Sequence, residues 1–96
     1  MTVFEWNEEK AKTNLRKHKI SFEEAESVFD DKLLLTFSDE IHSIDEERCI
    51  SIGYSNVNRV LLVVHTEETE NDKQIIVRII SCCKATALER EIYEQQ

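Results

Sequence analysis

The chain has no proline and a single glycine, Gly53, among 96 residues. Disordered linkers and low-complexity tails are rich in such residues, so neither is expected here. No apolar run approaches the roughly 18 residues that a membrane-spanning helix needs, and no membrane partner is expected. The first residues, Met1 to Glu5, hold neither the basic stretch nor the apolar stretch of a secretory leader. Three cysteines, an odd number with two of them adjacent, make a poor disulfide framework. These absences together predict a cytoplasmic protein. Positive charge is also short: 12 Lys and Arg face 20 Asp and Glu, for a formal charge of −8. General nucleic-acid binders are usually basic, so the balance counts against that class.

What is present fits one domain, residues 1–96, with enough length for one core and not two. Its 41% hydrophobic content is ordinary for a globular chain, and no internal repeat is visible. Charge is segregated along it. Lys10, Lys12, Arg16, Lys17 and Lys19 crowd into one segment, while acids crowd into Asp39–Glu47 and Glu67–Asp72. A chain with one basic ridge and acidic loops can still meet a phosphate backbone locally, or equally a basic protein partner. The sign of the total favours a protein partner.

The stretch Ile75–Thr86 organises the rest. Its isoleucines and valine, interrupted by Arg78, read as a central strand buried on both faces. Ala87 to Tyr93 then reads as a closing helix. In chain order, Val3–Trp6 is a short strand, and Asn7 is an N-cap for a helix over Glu8–His18, with Glu8 and Glu9 at its positive end. Ala11, Asn14, Leu15 and His18 share one face of it. Ser21 with Glu24 forms a capping box that starts a second helix at Phe22, with Ile20 and Ala25 at the positions of a hydrophobic staple. Phe22, Ala25, Val28 and Phe29 are its buried face. Asp30 and Asp31 end that helix with the wrong charge for the dipole, which points to a turn that matters for geometry or for a partner.

Leu33–Phe37 reads as a strand, and Ser38–Glu47 as an acidic loop that contains His42. Arg48–Tyr54 alternates as a strand, with Ile50, Ile52 and Tyr54 on one face. Ser55–Asn58 is a hairpin turn that returns into Val60–Thr66. Glu67–Lys73 reads as a second hairpin loop before a last strand over Gln74–Cys82. Strand, two helices, four consecutive strands and a helix make an α+β fold. Its hairpin-length connections predict a mainly antiparallel sheet, with the two N-terminal helices on one face.

With these pieces in place, the chain resembles the BrnT family, toxins of bacterial type II toxin–antitoxin pairs with a RelE-like fold. The residues that carry the resemblance are Phe4-Glu5-Trp6-Asn7, Lys10-Ala11, Asn14, Lys17-His18, Ser21 to Ala25 and Phe29-Asp30-Asp31, followed by Glu46-Glu47-Arg48, Ile52-Gly53 and Val63 to Glu67. Arg78 to Ser81 and Lys84-Ala85-Thr86, with Glu89 and Tyr93, complete the set. It spans Phe4 to Tyr93 in the family's order and spacing. The resemblance implies an endoribonuclease that cleaves messenger RNA with little sequence specificity. It also implies a ribbon–helix–helix antitoxin as partner, with operator DNA met only through that antitoxin. Five positions depart from the family's usual residues. Glu68 stands where arginine is common and Cys82-Cys83 where Ala-Arg is common, while Asn7 replaces Asp and Cys49 replaces an aromatic.

Metal-free RNA cleavage needs a base for the 2′-OH proton, a cation for the phosphorane oxygens and an acid for the leaving 5′-oxygen. The candidate cations are Arg48, Arg78 and Lys84; the candidate proton carriers are His65, Glu46 and Glu47, with Tyr93 more distant. Each has a plainer reading. Arg78 can serve a salt bridge across the sheet, Glu47 and Arg48 a solvated strand start, and His65 a hydrogen-bonded sheet position. His18 suits the negative end of its helix. Adjacent cysteines on a strand face opposite ways and cannot share one ion, so reduced thiols and no metal or other cofactor are expected. Two readings stay open: an endoribonuclease toxin that cleaves RNA, or a catalytically degenerate protein that keeps only the antitoxin surface. The arginines missing at 68 and 83, both assigned to the scissile phosphate, predict weak cleavage.

Overall fold

Asn7 starts the first helix as its sequence position demands. Its Oδ1 accepts from the Lys10 N–H at 3.1 Å, an N-cap that satisfies one of the helix's orphan donors. In the computed structural model, which describes residues 1–42 and 47–96, β1 (Thr2–Trp6) leads through this cap into α1 (Glu8–His18). Lys19 ends α1 in the left-handed region, φ 61°, and donates its N–H to Leu15. α2 (Phe22–Ser27) follows and tightens into a 3₁₀ turn at Val28–Asp30. Four strands come next: β2 (Leu35–Ser38), β3 (Arg48–Tyr54), β4 (Val60–Glu70) and β5 (Gln74–Lys84). The helix α3 (Ala87–Glu94) ends the order.

The strands form one sheet in the order β1-β5-β4-β3-β2. It is mixed, which corrects the mainly antiparallel sheet expected above. The β2–β3, β3–β4 and β4–β5 pairs are antiparallel, but β1 runs parallel to β5, with Thr2 opposite Ile75 and Trp6 opposite Ile79. Hairpin-length loops constrain only consecutive strands. β1 is separated from the rest by two helices, and nothing local sets its direction.

β5 is also not the doubly buried centre of the sheet. Val77, Ile79 and Cys82 are buried under the helices, while Arg78 on the other face is exposed. The middle strand is β4, which continues to Glu70 where a loop from Glu67 was expected. The chain reverses instead at Asn71 and Asp72, whose φ values are 55° and 58°, the left-handed pair of a tight hairpin turn. β2 starts later than expected, because the Asp31 carboxylate holds the Leu33 N–H at 2.9 Å and keeps the chain turning there.

The core lies between the sheet and the helical pair. Ile20, Phe22, Ala25 and Val28 meet Leu61, Val63, Val77, Ile79 and Cys82, all at most 2% exposed. Burying a side chain such as Ile20 or Phe22 stabilises the fold by roughly 1.5–3 kcal/mol. Gly53 is required at the contact with the 3₁₀ turn: a Cβ there would lie 2.7 Å from Leu34 Cδ1 and 3.1 Å from Val28 Cβ. Leu15, expected on the buried face of α1, is 51% exposed; the residue of that helix that is buried is polar, Asn14.

Asn14 explains how α1 is held to the sheet. β1 ends opposite Ile79, so beyond that point β5 has no strand on this side. Asn14 takes the missing strand's place. Its Oδ1 accepts from the Cys82 N–H at 3.0 Å and its Nδ2 donates to the Cys82 carbonyl at 2.9 Å, with a further bond to the Ile20 carbonyl. Asn14→Ala would strand three buried backbone groups. It is expected to lower stability by about 2.5 kcal/mol, measured by urea denaturation. A loss under about 0.5 kcal/mol would remove this role.

Candidate functional site

The candidate residues occupy three separate places. Arg48, Thr66, Arg78 and Glu5 are directly opposite one another across β3, β4, β5 and β1. Such residues share one face of a sheet, here the face away from α1 and α2. Arg78 lines a cleft of about 340 Å³ together with Glu5, Glu47, Thr66, Glu67, Glu68 and Ile76. The structure therefore brings Glu47 and Arg78 together and puts Arg48 in the same row. Glu5 and Glu68 stand on the Arg78 face and Glu47 lines the cleft beside them, while the Glu67 carboxylate turns to His65; the lining is acidic, the reverse of the charge that a scissile phosphate needs. Glu46 lies outside the described residues, as does most of the acidic loop around it.

Lys84 is elsewhere. With Arg59, Arg90, Tyr54, Asn58, Val60, Ala85 and Glu94 it lines a second cleft, of about 390 Å³, at the hairpin end of the sheet. The positions that lack arginine are also far apart. Glu68 pairs with Ile76 and Cys83 with Leu62, so six residues of β4 separate their levels, roughly 20 Å at strand spacing. Arginines at 68 and 83 would not grip one phosphate together. They would mark two stations along the same face.

His65 is 0% exposed. His65 follows Leu61 and Val63 in the regular alternation of β4 onto the helix side, while a bulge on β5, in which Val64 faces Ser81 and His65 faces Ile79, leaves Ile80 without a counterpart. Its Nε2 is 2.7 Å from Ser51 Oγ, which is 2.8 Å from Thr36 Oγ1, and its ring meets Phe29 edge-on. Nδ1 makes no hydrogen bond among the described residues; Glu67 Oε1 is 3.9 Å away. Burial lowers the pKa of His65 despite the pull of Glu67. The geometry is that of a hydrogen-bonded sheet histidine enclosed from solvent.

The sign of its pH dependence follows. Between the ordinary histidine value, 6.5, and the lower folded one, the unfolded chain takes up the proton and the folded chain does not. Stability should therefore fall as pH drops below about 6.5. His65→Gln, which keeps a partner for Ser51 but does not titrate, is expected to flatten thermal melts between pH 7 and about 5. An unchanged slope would show that another group is responsible.

Tyr93 is not an available acid either. Burial and its hydrogen bond to Asp31 push the phenol up to about 12. Asp31 also accepts from the backbone N–H of Tyr54 at 2.8 Å. Burial raises its pKa, but these bonds outweigh it and hold the carboxylate below its ordinary value. The adverse charge at the end of α2 thus serves geometry, tying the 3₁₀ turn to β3 and α3.

Two features escaped the sequence. Ser21 caps α2 as expected, accepting from the Glu24 N–H at 3.0 Å. The Glu24 carboxylate, however, reaches Arg59 rather than completing the box. It accepts from Arg59 Nη2 at 2.6 Å, Arg59 Nε at 2.8 Å and Ser55 Oγ at 2.7 Å. Arg59, 35 residues on, leaves no local signal of this. The capping box that does close is Thr86 with Glu89, at 2.8 and 3.2 Å, and the pattern Thr-x-x-Glu was there to be read. The cysteines are free, and burial pushes the Cys82 thiol up to about 12. Among the described residues no three His, Cys, Asp or Glu side chains are grouped to hold a metal ion, and no helix is long and apolar enough to cross a membrane.

The architecture is one already seen. The crystal structure of the Brucella abortus ribonuclease toxin BrnT is similar, with a TM-score of 0.62 and 22% sequence identity over 90% of this chain and 97% of that one. At that identity the likeness speaks for the fold. Comparison with curated proteins gives no match. Residues 6–89 match the family described as the ribonuclease toxin BrnT of type II toxin–antitoxin systems. The chain belongs to that family.

Proposed function

We propose that this chain is the toxin component of a type II toxin–antitoxin pair, a RelE-like protein of the bacterial cytoplasm. Its partner is a ribbon–helix–helix antitoxin, and it cleaves messenger RNA weakly and without metal. Family membership supports the toxin role. The observation that carries weak cleavage is the cleft around Arg78, where Glu5, Glu47 and Glu68 oppose an incoming phosphate. Any phosphate stabilisation falls to Arg48 and Arg78 on that face, with Lys84 at a distance. Of the proton carriers first considered, Glu47 lines the cleft, while His65 is enclosed and Tyr93 is committed to Asp31. The catalytically degenerate alternative rests on the same cleft, and the two readings part on one measurement. Incubating the purified chain with a labelled messenger RNA should give slow cleavage that a metal chelator leaves unchanged. Brisk cleavage would overturn the weak-toxin reading; none at all would leave the binding protein.

A further inference from the structure

The basic ridge of the sequence splits on α1. By helical spacing Lys10, Thr13, Lys17 and His18 share the stripe of Asn14, while Lys12 and Arg16 occupy the opposite flank. Asn14 sets that stripe against the edge of β5 through its bonds to the Cys82 backbone. Past Ile79, where β1 has ended, the stripe and Ser81 line a groove of about 250 Å³. Two lysines, an imidazole and two hydroxyls face this space, and its lining holds no carboxylate among the described residues. Among those residues neither Lys10 nor Lys17 forms an ion pair, whereas Lys12 lies 3.9 Å from Glu9. On a chain of charge −8, the groove is the reverse of the acidic cleft around Arg78.

We infer that this groove holds a backbone phosphate of the RNA, one other than the phosphate that is cut. Lys10 and Lys17 supply the charge, and the Thr13 and Ser81 hydroxyls with the His18 ring supply further donors, a set that suits the several oxygens of a phosphate. This assignment rests on the RNA-cleaving reading proposed above and adds where the substrate is gripped. The groove is joined to the face that carries Arg78. Val64 and Thr66, two apart on β4, pair with Ser81 and Arg78, so both β5 residues stand on that face. Roughly 10 Å of strand separates them, a span that a short run of single-stranded RNA covers. A cleft lined by glutamates repels the chain it is to cut, so binding energy has to come from a remote part of that chain. An RNA strand is favoured over an acidic peptide because its successive phosphates can occupy groove and cleft together. The grip at one then raises the effective concentration at the other.

The test uses the full chain and, as probe, a labelled single-stranded RNA with methylated 2′-hydroxyls, which binds but is not cut. Lys10→Gln with Lys17→Gln alters two exposed helix positions and keeps their helix propensity, so folding is preserved. The pair is expected to weaken binding about tenfold. It should also reduce the slope of log affinity against log salt by about 0.7, the share of one phosphate contact. Lys12→Gln with Arg16→Gln makes the same change in net charge on the opposite flank and should stay within about twofold. If the wild type binds the RNA and the groove pair binds it equally well, the RNA-cleaving reading stands and the groove is wrong. If the wild type binds no RNA, that reading fails and the groove falls with it. If the control loses as much as the groove pair, net charge and not position governs binding, and the inference is overturned. A poly-glutamate peptide that displaces the probe as well as unlabelled RNA of equal charge would also overturn it, because the groove would then select charge and not phosphate.

Discussion

Arg59→Met is expected to lower stability by about 4 kcal/mol at neutral pH, although Arg59 sits on a hairpin connection and its side chain is 30% exposed. The loss arises at its partner. Glu24 is 7% exposed and its carboxylate relies on the Arg59 fork, with Ser55 as its other neighbour. Removing the guanidinium leaves a buried charge with only the Ser55 hydroxyl as a direct partner, which costs far more than an exposed ion pair contributes. The pH dependence separates this account from simple loss of packing. In the wild type the bonds from Arg59 outweigh burial and hold Glu24 below its ordinary value of 4.5. Its stabilisation is therefore complete above that value and is lost as pH falls through the depressed one. In the variant only the Ser55 hydrogen bond and the attraction of Lys84 still oppose burial, so the folded pKa moves up from its wild-type position and the penalty is relieved as pH falls through it. The gap between the two proteins should narrow as urea melts are moved from pH 7 to about 5. Histidine effects are common to both and cancel. Glu24→Gln placed on Arg59→Met should restore at least about 2 kcal/mol, because a neutral amide can still meet Ser55. Parallel pH curves, or no restoration, would show that the ion pair is not what holds α2 to the β3–β4 turn.

The second large effect is on RNA cleavage. Glu68→Arg should raise kcat/KM roughly 10- to 100-fold, and Cys83→Arg alone should do much less. At a separation of roughly 6 Å and an effective dielectric of roughly 40, one unit charge contributes about 1.4 kcal/mol. The substitution changes the charge in the cleft by two units, and salt screening takes back part of the gain. A phosphate is already negative before reaction, so the gain should appear largely as tighter binding, with kcat changed only by what is specific to the transition state. Cys83 is roughly 20 Å along the sheet from Glu68 and has Glu89 of the Thr86 capping box as its charged neighbour. The control is Glu23→Arg, on the helical side of the molecule. It makes the same change in formal charge, one acid removed and one base added, from −8 to −6. If the control raises cleavage as much as Glu68→Arg does, net charge and not the cleft governs the rate. If neither has any effect, the carboxylates around Arg78 are not what limits cleavage.

What the sequence by itself determined is the part set by neighbours within a few residues. Asn7 and Ser21 as caps, the bounds of α1, the Ser55–Asn58 turn and the opposite faces of Cys82 and Cys83 all follow from hydrogen bonds and side-chain periods local to each segment. The resemblance to the toxin family was legible for the same reason, since its residues lie in short, ordered pieces. Tertiary structure alone decided the direction of β1, the use of Asn14 as a substitute strand for β5, the Glu24–Arg59 pair and the enclosure of His65. It also decided that Arg78 shares a cleft with Glu5 of β1, Glu68 of β4 and Glu47 just before β3, and that Lys84 faces another cleft. These contacts join residues tens of positions apart. Their energies depend on which groups burial brings together and strips of water, and no local period or cap encodes that.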